Sequence, residues 1–236
     1  MFRKLKIIGF FGAAIVLFLL FQLTILDDNS WKSWNLPLSG KIIYLDAGHG
    51  GPDGGASDRE AVEKEIALEV TLKLREYLQE QGALVLLTRE EDTDLAEEGT
   101  KGYSRRKTED LKKRLELINN SEADLFISIH LNAIESSRWS GAQTFYSPRY
   151  KENERLAKFI QAEFIRNLEN TKREAKVISN VFILKHAKKP GSLVEIGFLS
   201  NPEEKQKLMD DEYQESVAAS IYEGVLRYFT NEADLD

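Results

Sequence analysis

The sequence predicts an α/β fold, a single mostly parallel twisted sheet covered by helices on both faces. Two observations carry this reading. Short apolar runs alternate along the chain with helix-length amphipathic segments, the order expected when helices return the chain between parallel strands. Polar side chains capable of chemistry stand at or just past the carboxyl ends of three such runs, where open α/β sheets collect their sites. The chain has 236 residues, 42% of them hydrophobic and 30% charged, enough for one ordinary domain with a core plus appendages.

A transmembrane segment is expected ahead of the sheet. Arg3, Lys4 and Lys6 precede an apolar run from Ile7 to Leu26, in which only Gln22 and Thr24 are clearly polar. Twenty helical residues span about 30 Å, the thickness of a bilayer core. A cleaved signal peptide would have a shorter apolar core and a small-x-small site after it, and the chain runs into Leu-Asp-Asp instead. An uncleaved signal anchor is therefore expected, with its basic end in the cytoplasm and the rest of the chain exported. Asp27 to Gly40 reads as a linker, in which Trp31 and Trp34 suit either a membrane interface or the domain surface.

Ile42 to Leu45 is the first strand, ending in Asp46 and a glycine-dense loop that carries His49. Asp53 stands where a dinucleotide loop needs its third glycine, and Pro52 removes a backbone donor, so the loop suits a cation better than a phosphate. Ala61 to Gln81 follows as a helix, with Ile66, Val70, Leu74, Tyr77 and Leu78 at helical spacing and Gly82 as its stop. Ala83 to Leu87 is a strand, Arg89 to Lys101 an acidic loop, and Arg105 to Asn119 a helix with Leu111, Leu115 and Ile118 on one face. Strands are expected at Asp124 to Leu131, Ala142 to Tyr146, Val181 to Leu184 and Ser192 to Ile196. Helices are expected at Glu152 to Leu168, from Pro202, and over Glu212 to Phe229.

His49, His130 and Glu195 occupy equivalent places at strand ends, which parallel pairing would bring to one rim. A glutamate in Leu-Val-Glu-Ile-Gly-Phe is costly to bury unless satisfied or used. Two histidines with carboxylates are the ingredients of a zinc site, since catalytic zinc takes three protein ligands and leaves a fourth position for water. The residues alone leave the third ligand open among Glu60, Glu63 and Glu65, all of which also suit a helix start. Without cysteine, a thiol nucleophile, disulfides and any Cys-ligated metal are excluded. A net charge of -7 argues against a nucleic-acid partner.

Four stretches carry a family resemblance. They are Asp46-Ala-Gly-His49-Gly-Gly, Glu63-Lys64, Ser128-Ile-His130-Leu-Asn132-Ala133 and Val194-Glu195-Ile-Gly-Phe-Leu-Ser-Asn201-Pro202. Together they resemble the zinc-dependent N-acetylmuramoyl-L-alanine amidases of bacterial cell walls, from Lys41 to about Phe229. The resemblance implies one zinc ion held by His49, Glu63 and His130, with Glu195 as catalytic acid/base. It implies peptidoglycan as substrate, cut between the lactyl group of muramic acid and L-Ala of the stem peptide. Leu131 stands where the family usually has Ala, a difference that bears on the pocket wall and not on the ligand set. A single N-terminal apolar segment without wall-binding repeats resembles the germination-specific, spore-cortex branch. That branch implies coupling to a muramic-acid deacetylase in δ-lactam formation, on the extracytoplasmic, forespore side of a membrane. The organisation expected is an anchor over 1–26, a linker over 27–40, a catalytic domain over 41–230 and a tail over 231–236.

Two other classes compete. A zinc-dependent wall deacetylase would usually draw two histidines from one His-x3-His segment, and none exists here. A membrane-tethered peptidoglycan-binding module without activity would not need all three candidate ligands and Glu195. The remaining histidine, His186, lies among Lys185, Lys188 and Lys189, which disfavours a neutral metal-ligating imidazole; a solvated turn is expected there, with contact to an anionic peptide as the alternative.

Overall fold

In a computed structural model, residues 36–230 are described, together with residues 15, 16, 18, 233 and 235. The expected anchor, apart from three residues, and most of the expected linker and tail lie outside the described residues. Among the described residues, no helix is long and apolar enough to cross a membrane. The compact unit Pro37–Asp236 carries the sheet. Leu38 is fully buried in it, and its N–H donates to the Gln81 carbonyl at 2.9 Å.

Among the described residues, six strands form one sheet: β1 (Ile42–Ala47), β2 (Leu84–Leu87), β3 (Leu125–Asn132), β4 (Gln143–Tyr146), β5 (Lys176–Val177) and β6 (Gly191–Phe198), in the order β2-β1-β3-β6-β4-β5. The pairs β1·β2, β1·β3, β3·β6 and β4·β5 are parallel, and β4·β6 is antiparallel. The sheet is thus mixed, with its four-strand parallel block carrying the strand ends of interest.

The described helices from residue 37 on are α1 (Glu63–Glu80), α2 (Tyr103–Asn120), α3 (Lys151–Asn167), α4 (Phe182–His186), α5 (Pro202–Leu208) and α6 (Asp211–Phe229). In α1, Ile66, Val70, Leu74 and Leu78 are buried at the expected spacing, and Gly82 continues from it at φ +90°. Asn201 caps α5 by accepting from Glu203 N at 3.0 Å and Glu204 N at 3.1 Å, with Pro202 in the first turn. Helix α2 departs from the expected apolar face. Its buried residues are Asp110, Arg114 and Ile118, while Leu111 and Leu115 are only half-buried.

Two expectations change. Val181 to Leu184 is not a strand: it enters the short helix α4, whose Ile183 and Leu184 are buried. An apolar run this short cannot be assigned by periodicity alone. The two-residue strand β5 has no sequence signal, because Lys176 and Val177 are both exposed.

Alternation along the strands sorts side chains into two cores. Ile43, Leu45, Leu125, Ile127, Ile129, Leu131, Val194 and Ile196 pack on one face with α1, α3 and α6. Tyr44, Phe126 and Leu193 lie on the other, with Ile118 of α2 and Ile183 and Leu184 of α4. Two residues further along each strand, that second face turns polar, at Asp46, Ser128 and Glu195.

Candidate metal centre

His49 sits in the loop leaving β1 with φ +61°, a left-handed conformation costing a non-glycine residue about 1–2 kcal/mol. Neighbours hold it there. Gly48 N donates to Ile129 O at 2.9 Å, and Gly50 and Asp53 exchange backbone hydrogen bonds of 2.9 and 3.1 Å. Two arginines donate to three successive carbonyls of the loop. Arg89 reaches Ala47 O at 3.0 Å and Gly48 O at 2.9 Å; Arg114 reaches Ala47 O at 2.6 Å and also His49 O.

Glu63 opens α1, is 3% exposed, and accepts from Ala56 N at 2.7 Å through Oε2 and from Leu131 N at 3.0 Å through Oε1. The same Oε1 lies 3.2 Å from His49 Nε2 and 3.0 Å from His130 Nδ1. The two imidazoles meet at 77° with centroids 5.0 Å apart. One donor atom from each of the three residues falls within 4.8 Å of the others, so the group can hold a metal ion. Bonds of about 2.0–2.2 Å at tetrahedral angles separate donor atoms by about 3.4 Å, close to the 3.2 and 3.0 Å from Glu63 Oε1 to the two imidazoles. Two nitrogens and a carboxylate oxygen suit zinc.

Around the triad, polar groups hold these side chains from outside. His49 Nδ1 lies 2.9 Å from Asp53 Oδ2, close enough for an ion pair but not aligned for a hydrogen bond. Asp53 also takes Lys107 Nζ at 2.9 Å and the Tyr103 hydroxyl at 2.8 Å. Burial alone would raise its pKa, but these partners hold it well below the usual carboxylate range. Such outer carboxylates orient ligating histidines. Asp46, 1% exposed, accepts from Arg114 Nη1 at 2.8 Å, Ser128 Oγ at 2.6 Å and Thr88 Oγ1 at 2.8 Å. Burial opposes its ionisation, and the Arg114 charge with the Ser128 hydroxyl outweighs burial, leaving its pKa lowered.

Glu195 pairs with His130 across β3 and β6. Its Oε2 is buried and has no hydrogen-bond partner among the described residues. Burial pushes its pKa up to about 7; His130 and His49 pull downward, and the Glu63 charge adds to the rise. A carboxyl poised near neutrality beside possible metal ligands has the properties of a general base. The triad's two histidines and Glu195 open onto a cavity of about 400 Å³, also lined by Asp53, Lys107 and a set of apolar side chains. A hollow of about 570 Å³ between Leu86 and α2 contains no histidine and none of these groups.

A model of the N-acetylmuramoyl-L-alanine amidase family matches residues 43–227. The chain belongs to that family. It is 60% identical over 232 residues to the germination-specific N-acetylmuramoyl-L-alanine amidase of Bacillus subtilis (strain 168), covering 98% of each chain. The fold is similar to that of the CwlD amidase from Clostridioides difficile, solved in complex with the GerS lipoprotein. That likeness has a TM-score of 0.79 at 44% identity and covers 81% of this chain and 100% of that one. An N-acetylmuramoyl-L-alanine amidase from Clostridium difficile 630 matches with a TM-score of 0.72 at 31% identity, over 82% and 98%. The protein is a cell-wall amidase.

In this amidase the other acids weighed for the third ligand point elsewhere. Glu60 pairs with Lys205 at 2.7 Å, and Glu65 is exposed. His186 is exposed at the end of α4, a helix rather than the expected turn, and its ring lies 4.9 Å from that of Phe182. The Leu131 side chain packs in the first core and so does not reach the pocket wall, but its backbone N–H does touch Glu63. The sequence reading missed Arg89 and Arg114, because their neighbours read as an ordinary acidic loop and a charged helix face. It also missed two close approaches. A Cβ on Gly48 would come within 2.5 Å of His130 Cε1, and one on Gly55 within 2.5 Å of Glu63 Oε2.

Proposed function

We propose that this amidase is zinc-dependent, with His49, Glu63 and His130 as ligands and Glu195 as acid/base. It hydrolyses the amide between the lactyl group of muramic acid and L-Ala of the stem peptide in peptidoglycan. The observation that carries this is one carboxylate oxygen, Glu63 Oε1, facing both imidazoles while Glu195 Oε2, on the neighbouring strand, has no hydrogen-bond partner among the described residues. Zinc held there would supply a Lewis acid to the scissile carbonyl. Glu195 takes a proton from the attacking water and returns it to the leaving amine nitrogen, as a positioned carboxylate base does. Arg89, through the Gly48 carbonyl, and Arg114, through the His49 carbonyl, keep His49 aimed. Asp53 places a carboxylate 2.9 Å from Nδ1 of its ring.

The germination-specific relative supports a role in spore cortex, where peptide-free muramic acid is what a deacetylase needs before δ-lactam closure. The apolar run before residue 27 supports an uncleaved anchor, a linker to residue 40 and an exported catalytic domain over 41–230. Mass spectrometry of muropeptides after digestion of purified peptidoglycan tests the reaction. Muramic acid without peptide, with new free amino groups on L-Ala, is expected. Acetate release without them would replace the amidase reading with a deacetylase.

A further inference from the structure

The cavity beside the triad has two unlike sides. One carries His49, His130, Glu195, Asp53 and Lys107. The other is built from Ile178, Val181, Phe182 and Ile183, around the start of α4, with Phe145 and Leu193 from paired positions on β4 and β6. These apolar residues belong to the second core, yet Ile178, Val181, Phe182 and Phe145 are only half-buried within it. They pack against the second core and also line the cavity. None offers a side-chain hydrogen bond, so a polar group pressed against them would lose its water uncompensated.

We infer that this wall reads the methyl groups flanking the scissile amide, with Phe182 and Val181 as specificity-determining residues. The inference rests on the amidase reading. In a muramoyl-L-alanine linkage, the carbon on the acyl side carries the lactyl methyl and the carbon on the amine side carries the alanine methyl. The sugar and the carboxylates further along the peptide are polar, so these methyls are what the substrate can bring to an apolar wall at the reacting bond. Their contact turns the amide toward Glu195 and penalises a first residue that lacks a side chain. One methyl in a hydrophobic pocket discriminates by about 10–200-fold.

The test compares kcat/KM of the full chain, loaded with zinc, on muropeptides that differ only in L-Ala or Gly at the first position. Wild type is expected to favour L-Ala by about 10-fold or more. Phe182→Ala is expected to cut that preference below about threefold, mainly through KM for the L-Ala substrate. Val181→Thr keeps the shape, adds a hydroxyl and is expected to erode the preference in the same direction, so it decides the matter if Phe182→Ala fails to fold. Equal turnover of both substrates by wild type, or an unchanged preference in the folded variants, overturns the inference while leaving the amidase reading standing. Hydrolysis of neither substrate overturns both.

Discussion

Glu195→Gln separates the catalytic demand on Glu195 from its cost to the fold. The side chain keeps its shape but can no longer ionise. In the metal-free protein, burial holds this carboxyl near pH 7 instead of 4.5. The charged form is therefore disfavoured by about 3 kcal/mol in the folded state. The sign follows from linkage. The raised pKa makes the contribution of Glu195 fully present below pH 4.5 and lost as pH climbs through about 7. Gln cannot lose it. Any fixed cost of the new amide is the same at both ends of the pH range, so the change with pH is the quantity to read. Thermal melts of metal-free wild type and Glu195→Gln at pH 5 and pH 8 are the assay. Relative to wild type, the variant should gain about 5–10 °C between those two pH values, at roughly 2–4 °C per kcal/mol. With zinc restored, its turnover on peptidoglycan should fall by a factor on the order of 10² or more. Melting curves that stay parallel across pH would show that the carboxyl is not held neutral by burial. Full turnover would remove Glu195 from catalysis.

The shell around the ligands gives further expectations. Arg114→Lys keeps the charge but loses the fork that reaches Asp46, Asp110 and two loop carbonyls, so zinc affinity in a chelator competition should fall about 10–100-fold. Asp46→Ala leaves Arg114 buried without its inner carboxylate and should cost about 3–5 kcal/mol, read as a drop in Tm of about 10 °C. Gly55→Ala places a methyl against Glu63 and His49 at φ +69° and should abolish stoichiometric zinc, measured by elemental analysis, while the helical circular dichroism persists.

What the sequence revealed and what it hid have physical reasons. Strands β1, β3 and β6 were legible because each is a buried apolar run ending in a turn, and this also exposed His49, His130 and Glu195 as residues out of keeping with their surroundings. Glu63 could not be chosen from spacing among three helix-start acids. Its selection in the fold comes from partners remote in sequence, at Ala56 and Leu131. Arg114 was invisible for the same reason. Nothing in a lysine-rich helix announces a guanidinium reaching 65 residues back to the His49 carbonyl. The antiparallel β4 and the helical α4 are decided by packing on the second core, which local pattern does not record.

Catalysis in this protein requires three side chains, from a loop, a helix start and a strand end, to share one ion. Anomalous diffraction at the zinc edge, on crystals of the zinc-loaded protein, tests this most directly. A single peak within bonding distance of His49 Nε2, Glu63 Oε1 and His130 Nδ1 is predicted. A peak held by other residues, or none at this rim in an active preparation, would contradict it.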